Sequence, residues 1–105
     1  MIRAKTADKE FAISFEHKMT IHYPLHQMLP EPVRVQSTVC EIFLMDELGH
    51  VKVPRLSRGI AKCSPLDQFV KAIGRKIALT RALDEVHPFT KAERTAIWAA
   101  YWGRK

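Results

Sequence analysis

Lys52, Arg55, Arg58 and Lys62 place four cations within eleven residues, with no acid among them. Residues of this type at this spacing are suited to holding phosphates or acidic side chains, by charge and by the forked N–H donors of arginine. Pro54 and Gly59 interrupt the stretch, so it is expected to be a loop or an irregular strand with its long side chains exposed. Further on, Lys71, Arg75 and Arg81 recur at helical spacing. If the two groups are contiguous, they form one cationic surface. The chain as a whole has 17 Lys and Arg against 11 Asp and Glu, a formal charge of +6. Residues 1 to 49 hold five bases and seven acids, a net of −2, whereas residues 50 to 105 hold twelve bases and four acids, a net of +8. Such asymmetry points to a polyanion or an acidic protein surface as partner. A solvated surface with no partner is the alternative that net charge alone leaves open.

Other chemistries find less support. No Gly-rich phosphate loop, nucleophile elbow or His-Glu-x-x-His helix occurs. His22 and His26 have four-residue spacing, but Pro24 lies between them, and that spacing aligns two ligands only on a helix. Cys40 and Cys63 form no Cys-x-x-Cys knuckle and are expected as buried or half-buried thiols. No metal and no cofactor is expected. The paired acids, Asp46-Glu47 and Asp84-Glu85, fall on a turn and a helix end rather than in a cation-binding cluster. A small nuclease or hydrolase built on His50 or His87 with a nearby arginine remains the rival reading, although no spacing favours it. No catalytic residue is assigned, and the chain is expected not to be an enzyme.

The elements that must position the cations follow from hydrophobic periodicity. Phe11, Ile13, Phe15, His17, Met19, Ile21 and Tyr23 alternate with Ala12, Ser14, Glu16, Lys18, Thr20 and His22, the period of a half-buried strand. Pro24, Pro30 and Pro32 make residues 24 to 32 a loop. Val33 to Met45 reads as a second strand, Asp46 to Gly49 as a turn, and His50 to Val53 as the return strand of a hairpin. The period then changes. Ser64, Pro65 and Asp67 form a helix start, and the spacing predicts a helix over 66–83 with Leu66, Phe69, Val70, Ile73 and Ile77 on its apolar face. Ala72, Ala78 and Ala82 make a second face of small residues, and Gly74 is expected to serve close packing. Thr90 and Glu93 form another capping box, opening a helix from 91 to about 103 with Ile97, Trp98 and Tyr101 on one face and Trp102 beside it. Trp98 and Tyr101 are expected in the core more than as stacking platforms.

The expected fold class is α+β: a small antiparallel sheet of three or so strands in the N-terminal half, packed by two C-terminal helices. At 105 residues it forms one domain, β-rich over 11–63 and helical over 64–105. No apolar run approaches the roughly 18 residues of a membrane span, and the N-terminus lacks a signal-peptide core. The expectation is a soluble cytoplasmic protein without a membrane partner, its oligomeric state open, a homodimer included.

Three segments carry a resemblance: Cys63-Ser64-Pro65-x-Asp67-x-Phe69, then Gly74-Arg75-x-x-Ala78-Leu79-x-Arg81-Ala82-Leu83, then Lys91-x-x-Arg94-x-x-x-Trp98-x-x-Tyr101. Together they resemble the C-terminal half of small, mostly uncharacterised phage and prophage proteins. The resemblance implies binding of nucleic acid, or inhibition of host factors such as the CRISPR–Cas effectors of host defence, in the cytoplasm of the host cell. Many such anti-CRISPR inhibitors are acidic mimics of DNA; a basic chain would instead occlude an acidic surface or contact guide RNA. The expectation is a non-enzymatic binding protein engaging nucleic acid or a nucleoprotein complex through Lys52, Arg55, Arg58, Lys62, Lys71, Arg75 and Arg81. A protein–protein adaptor or structural subunit, using the sheet edge or the aromatic helix, is the third reading.

Overall fold

Alternating apolar and polar residues from Phe11 onward form the long second strand of an antiparallel sheet in the computed structural model, which describes residues 1–22, 33–63, 70–85 and 87–103. The strands are β1 (Ile2–Lys5), β2 (Glu10–His22), β3 (Val33–Leu44) and β4 (Ser57–Lys62), followed by helices α1 (Lys71–Leu83) and α2 (Lys91–Gly103). The sheet is a four-stranded meander in the order β1-β2-β3-β4, each neighbour antiparallel. The protein is therefore α+β, an N-terminal antiparallel sheet packed against two C-terminal helices. No described helix is long and apolar enough to cross a membrane.

Register decides which residues share a face. Phe15 pairs with Cys40 and Cys40 with Gly59, while Ile13 pairs with Ile42 and Ile42 with Ser57. These rows face the helices and supply Phe11, Ile13, Cys40, Ile42 and Ala61 to a core completed by Ala78, Leu79, Leu83, Phe89, Ile97 and Tyr101. Aromatic contacts help to join sheet and helical layer: the Phe11 and Phe89 rings meet edge-on with centroids 5.9 Å apart, and those of Phe15 and Tyr101 are tilted at 5.7 Å. Beyond His17, β2 and β3 continue as a ribbon pairing Lys18–His22 with Val33–Ser37, along which Met19 and Ile21 are exposed. The loop read over 24–32, with Tyr23 and His26, lies outside the described residues.

Four expectations need correction. The first strand, Ile2–Lys5, is absent from the sequence reading because four residues with two apolar side chains carry almost no periodic signal. His50–Val53 is not the return strand: only an isolated bridge joins Met45 to Val51, and Val53 is exposed. The return is β4, where Ser57, Gly59 and Ala61 are small enough to lie beneath a helix. The described helix starts at Lys71, with Val70 at its N-cap making no side-chain cap bond; the cap read at Ser64, Pro65 and Asp67 lies outside the described residues, as do Leu66 and Phe69.

The fourth correction concerns which face of α1 is inward. Val70, Ile73 and Ile77 are 42%, 56% and 39% exposed, and the buried residues are Gly74, Ala78, Leu79, Ala82 and Leu83. The cause is Gly59. A Cβ built there would lie 2.1 Å from the Ala78 carbonyl oxygen and 2.3 Å from the Ala82 nitrogen. The main chains of β4 and α1 touch, and only the small-residue face of the helix permits that approach. Ala78 and Ala82 thus do what their size implied, while Ala72 is exposed.

The second helix follows its sequence closely. Thr90 N–H donates to Glu93 Oε1 at 2.8 Å and Glu93 N–H to Thr90 Oγ1 at 3.1 Å, the reciprocal capping box. Ile97 and Tyr101 are buried, Trp98 is half-buried and Trp102 is 62% exposed. Arg94 links the helices, donating to the Leu83 carbonyl at 2.9 Å and pairing with Asp84 at 3.0 Å. It thereby satisfies a carbonyl left open at the end of α1.

Candidate nucleic-acid interface

Both helices pack on the same face of the sheet, and among the described residues no element covers the opposite face. Its residues are the alternate set on each strand. Arg3, Ala12 and Phe43 form one row, Ser14, Glu41 and Arg58 the next, Glu16, Val39 and Ile60 a third, and Lys18, Ser37 and Lys62 a fourth. Ala12 and Val39 are buried on this face yet stand outside the core cluster. Phe43 and Ile60 are half-buried beside them. The centre is apolar and the margins are basic.

Cations outnumber acids here. Arg3, Lys18, Arg58 and Lys62 come from the strands, and Arg55 reaches in from the preceding loop with its Nη1 3.5 Å from Glu41 Oε2. Lys18 Nζ lies 3.7 Å from Glu16 Oε2. With Lys5 and Glu10, which pair on the same face, six cations against three carboxylates leave a net of +3. Exposed pairs of this kind are worth roughly 0–1 kcal/mol, so the cations can turn to an incoming phosphate at little cost.

The seven cations read from the sequence are therefore divided among four places. Arg55, Arg58 and Lys62 belong to the open face. Lys52 lies at the end of the sheet, in a hollow it shares with Asp46 and Glu47. There the Asp46 carboxyl is held below its usual range, first by the His50 backbone N–H and also by the Leu48 N–H and the charges of His50 and Lys52. Arg81 serves the outer edge of β4: its Nη1 donates to the Ile60 carbonyl at 2.6 Å, while the Glu85 carboxylate accepts the Arg58 N–H. This side-chain pairing blunts an otherwise open strand edge. Lys71 is exposed at the start of α1, and Arg75 is half-buried on the inner side of that helix. The single surface that the sequence reading entertained does not form, because α1 lies on the opposite side of the sheet from the Arg58 and Lys62 side chains.

Arg75 has another role. Its Nη1 is 3.4 Å from His17 Nε2, and His17 Nδ1 is 2.9 Å from Thr38 Oγ1. A neutral ring satisfies both contacts, with Nε2 accepting from the guanidinium and the Nδ1–H donating to threonine. Burial first, then the Arg75 and Lys71 charges, hold the imidazole below its ordinary value. Arg75 Nε is buried without a hydrogen-bond partner.

The residues invoked for hydrolysis lie on separate loops. His50 Nδ1 faces Asp46 Oδ2 at 3.9 Å on the β3–β4 turn, whereas His87 rests edge-on against Phe89 with centroids 4.5 Å apart. Cys40 is buried, Cys63 half-buried, and both thiols are free of disulfides. Among the described residues, no three His, Cys, Asp or Glu side chains are grouped so as to hold a metal ion.

Sequence reading missed Arg3, Lys18, Phe43 and Ile60. Lys18 was legible in principle, since it shares the polar parity of β2. Arg3 was hidden with β1, and Ile60 with β4. No protein-family model matches the chain, and no curated protein or solved structure matches it either.

Proposed function

We propose that this chain is a non-enzymatic binding module that lays a single-stranded nucleic acid across the open face of its sheet. The observation that carries the reading is the composition of that face: Arg3, Lys18, Arg58 and Lys62 surround an apolar centre containing Phe43 and Ile60. Cations at the margins neutralise phosphates, and an aromatic ring on a sheet surface offers a platform for an unstacked base. A duplex hides its base faces and gains only the charge contacts. A host nucleoprotein complex, the target that the resemblance to phage proteins implies, would be met through the same face, at its exposed guide or displaced strand.

The test is binding of fluorescent single-stranded DNA, duplex DNA and RNA over a salt series, with strand integrity scored in the same samples with and without EDTA. Four phosphate contacts give a log–log slope of about −3 on single strands, at roughly −0.7 per contact. Replacing Lys18, Arg58 and Lys62 by alanine reduces that slope by about 2 on the same basis, and Lys71→Ala leaves it unchanged. Absence of binding at low salt, or a slope insensitive to the triple change, refutes the assignment. Cleavage of the strand would establish the hydrolase reading instead.

A further inference from the structure

The inward turn of the small face of α1 has an outward counterpart. Val70, Ile73 and Ile77 form an exposed aliphatic stripe on one side of the helix, and Trp102 on α2 is exposed across from Ile77. Because α1 packs on β3 and β4 and α2 on β1, a cleft opens between the helices. It encloses about 450 Å3 and is lined by Lys76, Ile77, Thr80, Arg81, Trp98 and Trp102. The two indoles stack with centroids 6.2 Å apart at 22°, and Lys76 Nζ lies 5.2 Å from the Trp102 ring centre. The lining contains two cations and no acid.

We propose that this groove docks the apolar face of an acidic amphipathic helix from a protein partner. Val70, Ile73 and Ile77 repeat at the i, i+3, i+7 positions that helix-in-groove recognition uses, and span about 10 Å at 1.5 Å per residue. Such a stripe complements the aliphatic ridge of a second helix. Lys76 and Arg81 on the lining select carboxylates at the margins of that helix. A second copy of this chain would set the same cations against one another, which disfavours a symmetric pair. The groove lies on the helical side of the molecule and the nucleic-acid face on the other, so the two partners do not compete.

The chain's two tryptophans both line this groove, so intrinsic fluorescence reports directly on its occupancy. The probe is a synthetic helical peptide of about 15 residues, long enough to sustain a few turns, with leucines on one face and glutamates on the other. Its binding is expected to shift the indole emission to the blue and protect it from acrylamide. The same peptide with lysine in place of glutamate should bind at least about tenfold more weakly, as close charge pairs across an interface contribute. Trp102→Ala, followed by labelled-peptide anisotropy, should raise Kd about thirtyfold or more, as a buried aromatic anchor does. Lys76→Glu should narrow or invert the preference between the two peptides, and Lys18, Arg58 and Lys62 variants should leave peptide binding unchanged.

Indifference of the folded wild-type protein to the acidic peptide overturns the proposal, as does equal affinity for the lysine peptide. An oligonucleotide that shifts the same emission and displaces the peptide makes the groove a nucleic-acid site. A doubled mass in light scattering that Ile73→Glu abolishes makes the occupant a second copy. Either result also rejects the proposal; the first in addition tells against the sheet face as the nucleic-acid site, whereas the second leaves that reading untouched.

Discussion

A methyl group at position 59 has no space to occupy. In Gly59→Ala the new Cβ would lie 2.1 Å from the Ala78 carbonyl oxygen, 2.3 Å from the Ala82 nitrogen and 2.9 Å from the Arg81 carbonyl carbon. All three are main-chain atoms of α1, so no rotamer change relieves the overlap. Restoring ordinary contact requires the helix to rise by about 1 Å, since carbon atoms sit best at roughly 3.5–4.0 Å. That lift also loosens Leu79 and Leu83, both buried against the sheet. A gap of that size forfeits about a quarter to a half of the contact energy on the loosened side. On side chains each worth about 1.5–3 kcal/mol, the loss is about 1–3 kcal/mol. Overpacking strain adds about 1–3 kcal/mol. The expected destabilisation is therefore about 2–6 kcal/mol, a large share of the roughly 5–15 kcal/mol that holds such a domain together. Urea unfolding by circular dichroism reads it as a lower midpoint at unchanged slope, and a thermal scan as a Tm lowered by at least about 8 °C. Gly103→Ala is the control, because nothing lies within 4 Å of its added Cβ; it should stay within about 0.5 kcal/mol of wild type. Ala78→Gly should not rescue Gly59→Ala, since the obstructing oxygen belongs to the backbone. A loss below about 1 kcal/mol for Gly59→Ala would refute direct seating of α1 on β4 and the inward orientation of its small face.

Three further outcomes follow from titratable and capping groups. His17 is held below its ordinary value of 6.5, so the unfolded chain binds its proton more readily than the folded one. Its contribution to stability is full above pH 6.5 and declines as pH falls through that value towards the folded pKa. Urea midpoints measured from about pH 7 to pH 5 should show that decline in the wild type and a flatter profile in His17→Gln; parallel profiles would contradict the His17–Arg75 geometry. Glu93 behaves in the opposite sense, its carboxyl lowered first by the Thr90 N–H and further by Lys9, 3.3 Å away. Its stabilisation is present above pH 4.5 and lost on further acidification, and Glu93→Ala should cost about 1–2 kcal/mol at neutral pH through the lost cap. A thermal scan showing no change would remove the capping box from the account of α2. Burial foremost, with Glu41 adding, pushes the Cys40 thiol up to about 12. Iodoacetamide should therefore modify Cys63 first and reach Cys40 only on global unfolding; peptide mapping that finds Cys40 labelled first would place it outside the core.

Local chemistry by itself determined much of this protein. Strict alternation from Phe11 marked β2 and the side to which Phe11, Ile13 and Phe15 turn, because a strand's period of two sends successive side chains to opposite faces. Thr90 and Glu93 announced α2, since a capping box is satisfied within four residues and needs no tertiary partner. Asp46 and Gly49 marked the turn: the Asp46 carboxylate accepts the Leu48 and His50 N–H groups, and Gly49 takes a φ of 82°. The α+β order followed from the change of period after Cys63. Tertiary structure decided the rest. Val70, Ile73 and Ile77 have the spacing of a core face, yet the contact between Gly59 and the backbone of α1 forces the small residues inward and leaves the aliphatic ones outside. Proximity to a β4 main chain fifteen or more residues away leaves no trace in the periodicity of the helix. The cations show the same division. Their number and their bias towards the C-terminal half are properties of composition, but their distribution is set by packing. The alternation of β4 sends Arg58 and Lys62 to the open face, whereas packing of α1 on the other face draws Arg75 to His17 and Arg81 to the strand edge. Charge can be counted along a chain; a charged surface exists only once folding has chosen which side of the sheet each side chain occupies.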